Sequence, residues 1–137
     1  MKIKATIFSL VIALAFAAFA TGCAPSPTEI EDVVICKNVD SDYKPLEPTS
    51  VFPLGTTDIV WASVKIKNMT SEDKITTKWN YLETKELIDS TDFITETAGS
   101  GYVGFSLTVE KGFPEGRYNA VIFLNDVQVE TVEFSVE

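Results

Sequence analysis

From Asp58 onward the chain alternates apolar and polar residues with a period of two. In residues 59–67, Val60, Ala62, Val64 and Ile66 fall on one side and Ser63, Lys65 and Lys67 on the other. Successive side chains of a strand point to opposite faces, so this pattern predicts a half-buried strand. Residues 74–82 repeat it, with Ile75, Thr77, Trp79 and Tyr81 opposed to Thr76, Lys78 and Asn80. The cleanest case is residues 102–109, where Val103, Phe105, Leu107 and Val109 point inward and Tyr102, Gly104, Ser106 and Thr108 outward. Residues 33–39, 117–124 and 127–136 read as further strands, the last with Val132, Phe134 and Val136 on one face. Leu87-Ile88 and residues 93–97 read as two short ones.

The punctuation fits. Residues 69–73 form a polar turn, Gly99-Ser100-Gly101 reads as a breaker, and residues 111–116 hold two glycines and a proline suited to a turn. Asn125-Asp126 suits the positive-φ positions of a type I′ hairpin turn. Pro45, Pro48 and Pro53 each remove a ladder donor, which makes residues 40–53 a loop or an extended edge. No run of ten residues after the N-terminal segment has helical period; only residues 80–89 have the composition for a helical turn. About seven short strands with alternating faces predict an all-β, antiparallel β-sandwich.

The N-terminus has a different pattern. Lys2 and Lys4 precede an apolar run, residues 7–20, broken only by Ser9. A basic start, an apolar core and small closing residues describe a secretory signal. A membrane-spanning helix needs about 20 apolar residues. Residues 5–22 number 18, so length alone leaves that reading open. Ala20-Thr21-Gly22-Cys23 resembles the lipobox of bacterial lipoproteins, in which small residues precede an obligatory cysteine. The resemblance implies that the Cys23 thiol carries a diacylglyceryl group and that cleavage leaves Cys23 as the first mature residue. Two acyl chains hold a protein stably where one does so only marginally. The expected organisation is a signal peptide over 1–22, a lipidated cysteine and Pro/Ser/Thr tether over 23–32, and one domain over 33–137. Ala24, being other than Asp, implies by analogy with lipoprotein sorting no retention at an inner membrane where an outer one exists.

Removing 22 of 137 residues leaves 115, one domain's worth of chain. Both charges removed are lysines, so 9 basic residues face 20 acidic ones in the mature chain, a net of −11. That balance argues against nucleic acid and against anionic headgroups as binding partners, since both require Lys and Arg to displace counterions. With Cys23 lipidated, Cys36 is the one remaining thiol and no intrachain disulfide can form. Following Val33-Val34-Ile35, it reads as a small buried hydrophobe.

The strand carrying Trp79-Asn80-Tyr81, the start Gly116-Arg117-Tyr118 and the closing Phe134-Ser135-Val136 together resemble an immunoglobulin-like or fibronectin type III-like domain of prokaryotic surface lipoproteins. The resemblance covers residues 33–136. It implies that Trp79 is the core tryptophan of the third strand. It implies that Tyr118 is the tyrosine near the start of the sixth, its hydroxyl bonded back to the preceding loop. The inter-sheet cysteine pair of antibody domains is absent. Such folds host many unrelated functions.

Candidate chemistry is sparse. The chain has no histidine, which excludes Ser-His-Asp and Cys-His catalysis and any imidazole metal ligand. A single mature thiol excludes a cysteine zinc site, and no phosphate-cradling glycine pattern occurs. Asp40-Ser41-Asp42, and similarly Asp89 with Asp92, are calcium-like fragments without the longer liganding pattern. No cofactor, metal or catalytic residue is expected. Trp61 falls on the strand face opposite Val60, Ala62 and Val64; it is an exposed contact residue, or it is covered by the tether or the proline loop, or it sits on a central strand whose two faces are both partly buried. Tyr102 at a sheet face and Phe113 at a loop tip are further candidate contacts with a ligand or partner. The expected function is a non-enzymatic protein-binding or accessory module. It is held through the lipid on Cys23 at the extracytoplasmic face of the cell membrane, with another envelope or surface protein as partner. The alternative is a carbohydrate-binding module using its exposed aromatics.

Overall fold

The period-two segments become strands that bury one face against a second layer. The computed structural model describes residues 26–137. The signal segment, Cys23 and Ala24 lie outside the described residues. Nine strands follow in order: β1 (Glu29–Val39), β2 (Pro45–Pro48), β3 (Val51–Phe52), β4 (Val60–Met69), β5 (Lys74–Tyr81), β6 (Glu86–Ile94), β7 (Gly99–Leu107), β8 (Gly116–Leu124) and β9 (Val127–Val136). Seven are long; β2 and β3 are short strands within the proline-rich segment. Their order is β2-β1-β4-β7 in one sheet and β3-β9-β8-β5-β6 in the other. All pairings are antiparallel except β3 with β9. No helix occurs among the described residues.

The core lies between the sheets. Val33, Val64 and Val103 stand side by side across β1, β4 and β7, as do Ile35, Ala62 and Phe105. The facing sheet contributes Ile75, Trp79, Tyr118, Ala120, Ile122, Phe134 and Val136, each at most 2% exposed. Phe134 is the aromatic hub. It stacks on Tyr118 at 5.0 Å and 8°, and meets Phe52, Trp79 and Phe113 edge-on. Offset and edge-to-face arrangements suit the ring quadrupole and add about 0.5–1.5 kcal/mol per pair beyond area burial. Trp79 sits fully buried on the third long strand, and Tyr118 near the start of the sixth donates its hydroxyl to the Pro114 carbonyl at 2.5 Å. Asn125 and Asp126 adopt φ of 52° and 69°, as the hairpin turn requires.

Four local expectations change. First, Gly99-Ser100-Gly101 does not break the chain but opens β7, where Gly99 pairs with Met69 and Gly101 with Ile66 around a bulge. Second, the two short strands expected at Leu87-Ile88 and residues 93–97 are one strand, β6. Its middle residues Asp89 to Asp92 are polar because it is a sheet edge exposed on both faces. Third, residues 82–85 turn tightly, with Lys85 at φ 60° and the Leu82 amide donating to the Arg117 carbonyl, so no helical turn forms there. Fourth, β1 starts at Glu29 and not Val33, which draws the last part of the expected tether into the sheet.

Candidate functional site

The outer face of the four-stranded sheet gathers two of the three aromatic candidates. Trp61 pairs with Cys36 and Ser106, Ser63 with Val34 and Gly104, and Lys65 with Asp32 and Tyr102. Paired residues share a face, so Trp61 and Tyr102 point outward on either side of Gly104. The turn between β1 and β2 folds over this face. Asp40 shapes it: one carboxylate oxygen accepts from the amides of Asp42 at 2.8 Å and Lys44 at 3.0 Å. Tyr43 follows at φ 65°, and its carbonyl accepts the Ser63 hydroxyl at 2.6 Å. Its ring lies 6.4 Å from the Trp61 ring, tilted by 50°.

Gly104 makes this seat. A Cβ there would lie 2.5 Å from Tyr43 Cδ1 and 3.1 Å from Trp61 Cζ3. Trp61 is therefore half-buried, covered by the proline-rich segment, while Tyr43 remains 46% exposed. Beside Trp61 on the same face Cys36 is fully buried, and that burial pushes its thiol pKa up, away from the reactive thiolate. Tyr102 is half-buried, and with Tyr43, Asp42 and Lys44 it borders an open recess of about 520 Å³. Tyr43 is the third aromatic of this face, and sequence reasoning missed it. Its one signal was Gly104, since an isolated glycine in a strand often marks a close approach.

Phe113 is corrected. Its ring is 3% exposed and packs edge-on against Tyr118 at 5.7 Å and Phe134 at 6.4 Å, so it closes the core and cannot act as an exposed contact. The glycine and proline beside it do make a turn, but one aimed inward. Gly112 at φ 88° directs the chain back, and the Phe113 amide donates to the Thr56 carbonyl at 3.0 Å.

The carboxylates organise structure. Asp73 accepts from the hydroxyl of Thr28 at 2.5 Å, from Asn125 Nδ2 at 2.9 Å, and from the amide and hydroxyl of Thr70 at 2.9 and 3.0 Å. These donors, Thr28 first, hold its pKa down at about 2. Glu83 accepts from the Arg117 amide at 2.8 Å and side chain at 3.3 Å, and its pKa is lowered by them. Asp92 accepts the Thr76 hydroxyl at 2.7 Å, and Asp89 caps the Ser90 amide. Among the described residues no group of three or more His, Cys, Asp or Glu is placed to hold a metal ion. Tyr81 and Tyr118, 4.9 Å apart, border a cleft of about 410 Å³ with Leu87, Ile88, Val109 and Pro114.

No protein-family profile matches the sequence, and no curated protein matches it. Solved structures do. An immunoglobulin-like protein from Pseudomonas aeruginosa superposes with a TM-score of 0.55 at 11% identity, covering 83% of this chain and 99% of that one. The CARDB domain of a Pyrococcus furiosus protein gives 0.41 at 15% identity over 81% and 97% of the two chains. An alkylpurine DNA glycosylase from Pseudomonas fluorescens gives 0.49 at 14% identity, over 80% of this chain and 30% of that one. The first likeness is one of fold: the chain forms an immunoglobulin-like β-sandwich.

Proposed function

We propose that the protein is a lipoprotein held through Cys23 at the extracytoplasmic face of the cell membrane, where its domain serves as a non-enzymatic accessory module for another envelope or surface protein. An immunoglobulin-like fold suits such a role without specifying it. The observation that carries the binding assignment is β6. It is an edge strand exposed on both faces, with Leu87 at 56% exposure, and among the described residues it closes no ladder on its outer side. An edge of this kind offers main-chain groups for an added strand and side chains for selectivity. The strongly held carboxylates, Asp73 and Glu83, spend their lone pairs on structural donors. This supports a scaffold in preference to a catalyst.

The test is co-purification from native membranes, comparing the intact protein with Leu87→Asp. A partner recovered with the intact protein and lost in the variant supports the assignment. Recovery of nothing, or equal recovery with both, contradicts it.

One observation favours a second reading, carbohydrate binding: Trp61, Tyr102 and Tyr43 share one outer face. Against it, the Tyr43 ring leans on Trp61 and leaves no flat open platform for a sugar ring. Cell-wall pelleting with Trp61→Ala and Tyr43→Ala decides this. Binding lost in both variants favours the sugar reading, and absent or unchanged binding removes it.

A further inference from the structure

The two ends of the sandwich differ in one respect. At one pole lie the start of β1, the turn between β4 and β5, the end of β6 and the hairpin turn between β8 and β9. Here the N-terminal segment is fastened to the domain. Thr28 donates to the Asn68 carbonyl at 2.8 Å and to Asp73, and Asn68 Nδ2 donates to the Pro27 carbonyl at 3.4 Å. The opposite pole holds the turn between β5 and β6 and the loop between β7 and β8, with the Tyr81–Tyr118 cleft.

We infer that the domain stands end-on, with the Thr28 pole resting on the lipid surface and the cleft pole projecting away from it. This rests on the proposed lipidation of Cys23. Five residue steps separate Cys23 from Thr28, a reach of at most about 18 Å when fully extended. The 8 residues of β5 span about 26 Å. A tether shorter than the strands, pinned at one pole, cannot turn the other pole to the membrane.

One further feature favours the upright pose. The two most exposed large apolar side chains among the described residues are Val127 at 63% and Ile94 at 62%, and both sit on the Thr28 pole. Such side chains gain by entering the headgroup boundary.

The test uses the full lipidated protein in vesicles of zwitterionic and anionic phospholipid. One fluorophore is attached at Glu96→Cys, near the Thr28 pole, or at Thr84→Cys, at the cleft pole. Both positions are exposed, while Cys36 is fully buried and does not label. Nitroxide-headgroup lipid reports proximity, and flotation with the vesicles reports the anchor. The expected result is several-fold stronger quenching at position 96 than at position 84. The difference should shrink in Asp73→Ala, which removes one of the bonds that fasten the tether, and in an Ile94→Asp/Val127→Asp double variant. Equal quenching, or stronger quenching at position 84, in protein that floats overturns the orientation and leaves the anchor standing. Protein that does not float overturns both.

Discussion

Replacing Asp73 by Ala removes the carboxylate that ties the N-terminal segment, the turn between β4 and β5 and the β8–β9 hairpin to one another. Four donated hydrogen bonds converge on it. The folded state holds its pKa at about 2, against 3.8 for an ordinary Asp. Because the folded value is the lower one, the ionised group stabilises the fold above about pH 4. That contribution disappears as the pH falls from 3.8 through 2. The linkage sets a ceiling of about 2.4 kcal/mol. Water reaches this half-buried site, so a net contribution of about 1 kcal/mol is expected. In urea unfolding followed by tryptophan fluorescence, about 1 kcal/mol lowers the midpoint at pH 7 by roughly 0.5 M. At pH 2 the wild-type and Asp73→Ala curves should converge. Glu72→Ala, one residue away and exposed, should stay within about 0.5 kcal/mol of wild type. Equal midpoints at pH 7, or a gap that persists undiminished at pH 2, would refute the argument that this carboxylate is a clasp.

Three other perturbations follow from single contacts. Gly104→Ala should displace the Tyr43 ring from Trp61 and cost about 1–2 kcal/mol if Ser63 also loses its acceptor. Acrylamide should then quench Trp61 more readily, and unchanged quenching would contradict the seat. Tyr118→Phe removes the bond to the Pro114 carbonyl, at about 1–2 kcal/mol by urea midpoint. Burial, with Tyr81 nearby, raises the Tyr118 pKa from 10.0 to about 12, so its neutral form stabilises the fold below pH 10 and that share is lost as the pH rises towards 12. In Tyr118→Phe this alkaline loss should be absent. Thr77 is fully buried and its hydroxyl has no hydrogen-bond partner among the described residues. Thr77→Val should therefore raise stability by about 1 kcal/mol, and a lowered urea midpoint would show that the hydroxyl is satisfied.

The architecture was legible wherever one face of a strand is buried and the other wet. Val60, Ala62, Val64 and Ile66 alternate because the inner face of β4 meets the opposite sheet, and all four are buried. β6 reads in the sequence as two short strands because its polar middle, at an edge open on both faces, has no apolar period. Phe113 misled because glycine and proline signal a turn but not its direction. Contacts from residues 55 and 56, distant in sequence, decide that it points inward. Tyr43 was silent for the same reason: its position depends on a positive-φ turn and on a missing side chain at Gly104, 61 residues later. The Asp73 clasp joins the local turn of residues 70 and 73 to residues 28 and 125, which no local pattern connects to it.

The proposed anchoring and orientation both depend on Cys23. Intact-mass and peptide mass spectrometry of the mature protein, purified from membranes of its own cells, tests it directly. The predicted result is an N-terminus at Cys23 with the added mass of a diacylglyceryl group on its sulfur, and no trace of residues 1–22. An unmodified Cys23, or a mature chain that still carries the N-terminal segment, would contradict the anchor and everything inferred from it.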